Sequence, residues 1–154
     1  MILIAHRGNV DGPNPKLENK PSHIDAALHN GFDAEIDVWY DKSWWLGHDK
    51  PKYKLDMEWL GANSDNLWIH CKNLDALFEF TKEDVGQEFG LPHYFWHEHD
   101  SFTLTSYGFI WTYPGRKLTR ASIGVMPEIS SYTKKDLKQC FGICSDFIKE
   151  YRDL

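Results

Sequence analysis

The chain opens on Met1-Ile2-Leu3-Ile4-Ala5, a continuous apolar run that leads directly into His6-Arg7-Gly8. A run of this kind, with no polar alternation, is expected of a strand covered on both faces, as in the parallel sheets of α/β folds. The C-terminal ends of such strands are where α/β proteins build their sites, and His6 and Arg7 stand at that end. The spacing then predicts a helix, with Ser22 as N-cap, Asp25 at the capping-box position, Ile24, Ala27 and Leu28 on one face, and Gly31 as the stop. Phe32 to Trp39 reads as a second strand, in which Ala34, Ile36 and Val38 share one face and Glu35 and Asp37 the other. Unpartnered carboxylates on a covered strand would be too costly, whereas two on one face can converge on a single hard cation.

Short apolar runs continue to the end of the chain. His93–Trp96, Gly108–Trp111, Ser122–Met126 and Phe141–Cys144 read as further strands. Helices are predicted at Leu74–Thr81, with Leu74, Leu77 and Phe78 as the apolar face, and at Thr133–Cys140. Little room is left for helices between Pro92 and Met126, where Phe102–Thr105 has the alternative of pairing locally as a hairpin. Neither a linker, a repeat nor a low-complexity tract interrupts the chain, and residues 1–154 read as a single α/β domain with enough apolar residues for a core.

Charge narrows the function classes. A net charge of −6 without a basic patch argues against nonspecific binding to nucleic acid or to anionic membranes. No stretch has the length of a transmembrane span, and Met1–Ala5 is too short for a signal sequence and reads as part of the fold. Cys71, Cys140 and Cys144 are odd in number and lack metal-site spacing, so buried thiols in a reducing, cytoplasmic compartment are the expectation.

His6-Arg7-Gly8, Glu18-Asn19, Glu35-x-Asp37 and His48-Asp49, in this order, resemble the N-terminal signature of the glycerophosphodiester phosphodiesterases, which are (β/α) barrel enzymes. The likeness is close over the first third of the chain and loose beyond it. It implies that His6 and His48 are the catalytic acid/base pair and that Glu35 and Asp37 hold Mg²⁺ or Ca²⁺. Arg7, Lys72 and Glu18 are then the substrate-binding residues. Leu67-Trp68-Ile69-His70-Cys71-Lys72 stands where the family has a strand ending in Glu-x-Lys; Lys72 matches, and His70 takes the place of the third acidic ligand, which makes Mn²⁺ a further candidate. Gly142–Phe147 looks like the family's final strand, where a Thr-Asp pair usually stands.

A barrel of this type ordinarily takes about 200 to 250 residues. The resemblance therefore implies a reduced (β/α) TIM-like barrel, with several helices shortened or replaced by loops. The implied function is metal-dependent cleavage of a glycerophosphodiester-like or related small phosphodiester by His/His acid–base catalysis. The alternatives are a phosphoester-binding module that has lost turnover, or a phospholipase- or sphingomyelinase D-like lyase that forms a cyclic phosphate. The partner expected is a small-molecule phosphodiester, with no nucleic acid and no stable membrane insertion.

Some residues keep two readings. His97-Glu98-His99-Asp100 reads first as a polar loop after a strand, and second as a cluster from which His97 or His99 faces phosphate or metal. Glu128 and Asp146 stand at strand ends without a motif of their own. Of the adjacent Trp44 and Trp45, at most one faces the core, and the other could wall the mouth beside His48. Trp96 and Trp111 suit either stacking on a substrate group or filling the core, and Trp59 and Trp68 are read as core.

Overall fold

The leading apolar run forms β1 (Ile2–Ala5), which is central in the sheet rather than an edge. It lies between β2 (Asp33–Tyr40) and the last strand, β10 (Gly142–Ser145), and runs parallel to both. The computed structural model describes residues 1–82, 85 and 92–154. Its other strands are β3 (Trp44–Leu46), β4 (Tyr53–Lys54), β5 (Leu67–Cys71), β6 (Tyr94–Phe95), β7 (Phe102–Leu104), β8 (Ile110–Thr112) and β9 (Ser122–Val125). The helices are α1 (Pro21–His29), α2 (Met57–Ala62), α3 (Leu74–Phe80) and α4 (Lys134–Leu137).

The fold is mixed α/β. One curled sheet runs β6-β5-β2-β1-β10-β9-β8-β7, parallel throughout except for the β7–β8 hairpin, and the β3–β4 ribbon continues antiparallel from the far end of β2. The curl brings its two ends together. There Ser106 N–H donates to Tyr94 O at 2.8 Å, Thr103 Oγ1 to Trp96 O at 2.8 Å, and His93 Nε2 lies 2.7 Å from Thr105 Oγ1. No ladder joins β6 to β7; these bonds and side-chain packing do.

Strand alternation divides the core. Ile36, Val38, Ile69 and Cys71 face outward under the helices, with Ile24, Leu60, Ala76 and Phe80 packed on them. The inward face carries Ile4, Trp68, Phe95, Trp111, Ile123, Val125 and Cys144 in one buried cluster. On the same inward face, register sets Glu35 opposite Trp68 and Asp37 opposite His70. Close approach of the first and last strands requires Gly142, since a Cβ there would lie 2.9 Å from Ile2 O and 3.0 Å from Ile123 Cδ1.

Several local expectations are corrected. α1 begins at Pro21 with Lys20 at the N-cap, so Ser22 lies inside its first turn and Asp25 closes no capping box. Proline fixes φ and has no N–H to satisfy, so it starts the helix ahead of the serine, and Asp25 instead accepts from Trp59 Nε1 at 2.8 Å. Gly31, at φ +78°, does end the helix. In α3, Leu74 and Phe78 are 66% and 63% exposed. Ala76 and Phe80, four apart, face the sheet in their place, because the Asn73 cap sets the helix phase. The predicted Thr133–Cys140 helix contracts to α4, opened by a Thr133–Asp136 capping box. Phe102–Leu104 does pair as a hairpin with β8, and no helix occurs between 92 and 126.

Trp68 is buried and donates Nε1 to Asp33 Oδ2 at 2.9 Å, as a core tryptophan needs. Trp44 packs its ring 4.5 Å from Phe80. Trp111 belongs to the core, stacked 4.4 Å from Phe95.

The seam where the sheet ends meet carries a prediction. His93 is 5% exposed between Trp68 and Tyr107, and burial pushes its imidazole down to about 4. The unfolded chain protonates this group near 6.5, so its contribution to stability is complete above that pH and is lost as pH falls toward 4. Urea unfolding of the wild type and of His93→Gln should diverge in pH dependence by about 2 kcal/mol between pH 7 and pH 5. Parallel curves would show that His93 is protonated in the fold.

Candidate active site

His6, Arg7, Lys72 and Asp146 stand just beyond the C-terminal ends of parallel strands, Glu35 and Asp37 lie inside β2 level with the end of β1, and His48 follows the antiparallel β3. After β1 the chain makes a tight turn over His6–Gly8, with Arg7 at φ +52° and Gly8 at φ +84°. A left-handed arginine is held at a cost of order 1 kcal/mol or more. Its contacts explain why it persists. Arg7 N–H donates to Glu35 Oε2 at 3.1 Å, Nη1 to Glu18 Oε2 at 3.1 Å, and Nε lies 3.2 Å from Asp37 Oδ2. Gly8 completes the turn where a Cβ would meet Ile24 Cδ1 at 2.9 Å.

His6 points the other way, toward the end of β10. Its Nδ1 is 2.9 Å from Asp146 Oδ1, and its Nε2 is 4.0 Å from Glu35 Oε2. Asp146 is itself fixed, since Asn9 Nδ2 donates to Oδ1 at 2.8 Å and its own N–H donates to Glu128 Oε1 at 3.1 Å. Glu128 Oε2 in turn accepts from Ser145 Oγ at 2.9 Å. Burial pulls the His6 imidazole down, but the bond to Asp146 and the charge of Glu35 outweigh it, and the group ends above its ordinary value. Burial raises the Asp146 carboxyl, and the His6 and Asn9 bonds bring it below the usual range.

The two carboxylates of β2 are buried and unequal. Asp37 Oδ1 lies 3.2 Å from His70 Nδ1 and 3.3 Å from Lys72 Nζ, while Oδ2 accepts from Asn19 Nδ2 at 2.8 Å. Asn19 Oδ1 accepts from Asp37 N–H at 2.8 Å, so one left-handed asparagine grips the residue twice. Burial alone would raise Asp37, yet His70, Lys72 and Arg7 hold it far below the carboxylate range. Glu35 moves up, first through burial and then through the negative charge of Asp37. One acid stays charged and its neighbour is biased toward protonation.

Glu35, Asp37 and His70 each offer a ligand atom, all within 4.8 Å of one another. Asp37 Oδ1 is buried without a hydrogen bond and faces His70 Nδ1, which suits a shared cation; two carboxylates and one imidazole are a donor set for a small divalent ion. Lys72 and Arg7 already sit on Asp37, so an ion there would share that charge.

A cavity of about 590 Å³ opens over this cluster, lined by His6, Arg7, Glu35, His70 and Lys72, with His48 on its wall. The structure thus brings seven of the eight expected residues into one contact network: His6, Arg7, Glu18, Glu35, Asp37, His70 and Lys72. His48 joins through the cavity; its Nδ1 bonds its own neighbour Asp49 at 2.6 Å and its side chain is 41% exposed. Glu18 stands behind Arg7 and orients it, accepts from Asn9 Nδ2 at 3.2 Å, and lines an adjoining cavity. His97 lines the main cavity and stacks 4.4 Å from His70; burial, then His70 and Lys72, push it down to about 4.

Asn9, Asp146 and Glu128 are the groups sequence reasoning left without a role. Asp146 stood at a strand end, and the signal that could assign it is the pairing of β10 with β1. Cys71 and Cys144 are buried, and burial raises both thiols, Cys71 to about 12, which disfavours the thiolate form. Among the described residues no helix is long and apolar enough to cross a membrane.

Comparison with protein-family models, with curated proteins and with solved structures returns no match for this chain.

The unequal charges yield a test by stability. Asp37→Ala leaves the half-buried cations of Arg7 and Lys72 without their shared partner and should cost roughly 2 to 5 kcal/mol in urea unfolding at pH 7. Glu35→Gln, which resembles the protonated acid, should cost under about 1.5 kcal/mol. Equal losses would mean that the two acids carry the same charge.

Proposed function

We propose that the chain is a metal-dependent phosphodiesterase, cleaving a glycerophosphodiester-like or related small phosphodiester on a reduced (β/α) TIM-like barrel. The observation that carries this reading is His6, fixed on Asp146 through Nδ1 with Nε2 turned toward Glu35, beside Arg7 in a cavity walled by His48. An imidazole oriented by a carboxylate through one nitrogen has the other available for proton transfer.

Glu35, Asp37 and His70 would hold Mg²⁺, Ca²⁺ or Mn²⁺. Such an ion would supply positive charge to the non-bridging phosphate oxygens. Arg7 and Lys72 add positive charge at the same oxygens, and Glu18 keeps the guanidinium aimed. His6, whose protonated form is favoured by Asp146 and Glu35, donates to the leaving oxygen. His48 takes the proton from the attacking hydroxyl. That hydroxyl belongs to water for a hydrolase and to the substrate for a lyase, and phosphorus NMR of the products separates the two by the presence of a cyclic phosphate.

One observation favours the reading as a binding module without turnover: Asp37 is already neutralised by Lys72 and Arg7, and His70 stands in place of a third carboxylate. The buried free thiols support a cytoplasmic setting.

Turnover decides between these readings. With a glycerophosphodiester and magnesium, calcium or manganese, the wild type should release a phosphomonoester or cyclic phosphate, and chelator should stop it. His6→Ala should lower kcat by at least about 100-fold with circular dichroism unchanged. Asp146→Asn, which loses the orienting charge, should fall by about tenfold or more. Wild-type rates in His6→Ala would remove the assignment, and no turnover with any metal would favour the binding module.

His70 tests the metal. His70→Glu adds a hard oxygen donor and a negative charge, so calorimetry should show tighter Ca²⁺ and Mg²⁺ relative to Mn²⁺ and Zn²⁺. An unchanged order of affinities would exclude His70 as a ligand.

A further inference from the structure

Asn9 bridges the supports of His6 and Arg7. It is 1% exposed, and its Nδ2 donates to Asp146 Oδ1 at 2.8 Å and to Glu18 Oε1 at 3.2 Å. Asp146 holds His6, and Glu18 holds Arg7 through its other oxygen. Both amide hydrogens are thereby spent on carboxylates, so the orientation of this amide matters. Flipped, it would turn its carbonyl oxygen toward two carboxylates and leave both without a donor.

Two groups oppose the flip. The backbone N–H of Asn14 donates to Asn9 Oδ1 at 3.2 Å, and His23 Nε2 lies 3.2 Å from the same oxygen. Because Oδ1 can only accept, the His23 contact is a hydrogen bond only when Nε2 carries the proton. Burial outweighs the charge of Glu18 and lowers His23 from its ordinary value, so at pH 7 the ring is neutral and has one N–H to give. The ring is seated against the turn that follows Arg7, where a Cβ on Gly8 would lie 3.0 Å from His23 Cδ2. His23 lines neither of the cavities that His6 lines; it faces a separate one beside Lys149 and Arg152. It therefore acts on the site through Asn9 and not on a bound molecule.

We propose that His23 is a positioning residue for this site: its Nε2–H locks the Asn9 amide in the orientation that holds Asp146 on His6 and Glu18 on Arg7. The proposal rests on the phosphodiesterase reading for what His6 and Arg7 do, and on the hydrogen-bond geometry for the lock itself. One side chain of α1 thus fixes the proton-transfer imidazole and the guanidinium together.

Two measurements test it. Nitrogen NMR of the His23 ring in the wild type at pH 7 reads the tautomer without substrate or variant: the Nε2–H form is expected, and the Nδ1–H form would overturn the proposal. The second is a cycle of turnover measurements, with a glycerophosphodiester and magnesium, on the wild type, His23→Leu, Asn9→Ala and the double variant. His23→Leu should lower kcat/KM by about fivefold, the worth of one hydrogen bond. His23→Gln, which offers an amide N–H close to the place of Nε2, should restore most of the loss. In the Asn9→Ala background His23→Leu should have no further effect. Losses that multiply, or that glutamine does not restore, would mean that His23 merely packs α1 on the turn and would overturn the proposal. The two readings fail separately. A wild type that turns over no diester sinks the phosphodiesterase while an Nε2–H ring still supports the lock; an active wild type with a multiplicative cycle sinks the lock alone.

Discussion

The inward face of β2 sets the terms for this structure. Glu35 and Asp37 leave the same side of a covered strand, inside the curl of the sheet, and two adjacent buried negative charges are not tolerated unless neutralised. Much of what surrounds them acts on that problem. Arg7 is bent into a left-handed turn so that its backbone serves Glu35 and its side chain reaches Asp37; Asn19 adopts a second left-handed position to grip Asp37; β5 sends His70 and Lys72 from the neighbouring strand. The compensation is uneven. Asp37 receives nearly all of it, and Glu35 rises toward protonation. That asymmetry leaves a fixed negative charge on Asp37 beside a Glu35 biased toward protonation.

A second constraint is the parallel pairing of the first and last strands. Register aligns Ala5 with Ser145, so the next residues of each strand, His6 and Asp146, emerge side by side although 140 positions apart. Glu128, from the turn after β9, then anchors Asp146 through its backbone and Ser145 through its hydroxyl. Three neighbouring strand ends thus orient one imidazole.

The parts legible in the sequence were those encoded locally. The unbroken apolar run of β1 marks a buried strand by its shortness and composition, and the alternation of β2, with its period of two, sets Glu35 and Asp37 on one face. His6 and Arg7 follow from standing at a strand end, and Lys72 from the family resemblance alone. Asp146 and Asn9 were not legible, because their meaning depends on a strand pairing between the two ends of the chain. α3 was misread for a different reason: Leu74 and Phe78 are four apart, as are Ala76 and Phe80, and a seven-residue helix holds too few turns for periodicity to choose between those faces. The start of α1 was misjudged because Lys20-Pro21 and Ser22 are adjacent start signals, and the proline prevails. The seam between β6 and β7 rests on side-chain and loop bonds that no alternation pattern announces.

The central claim is that β2 carries one permanently charged acid and one poised to take a cation. Carbon NMR of the Glu35 and Asp37 carboxyl groups, titrated with and without magnesium, tests it most directly. The account predicts that Asp37 stays ionised to low pH, that Glu35 protonates above its ordinary range, and that magnesium drives the Glu35 transition down. Two carboxyl groups titrating together at ordinary values, with no response to the cation, would contradict it.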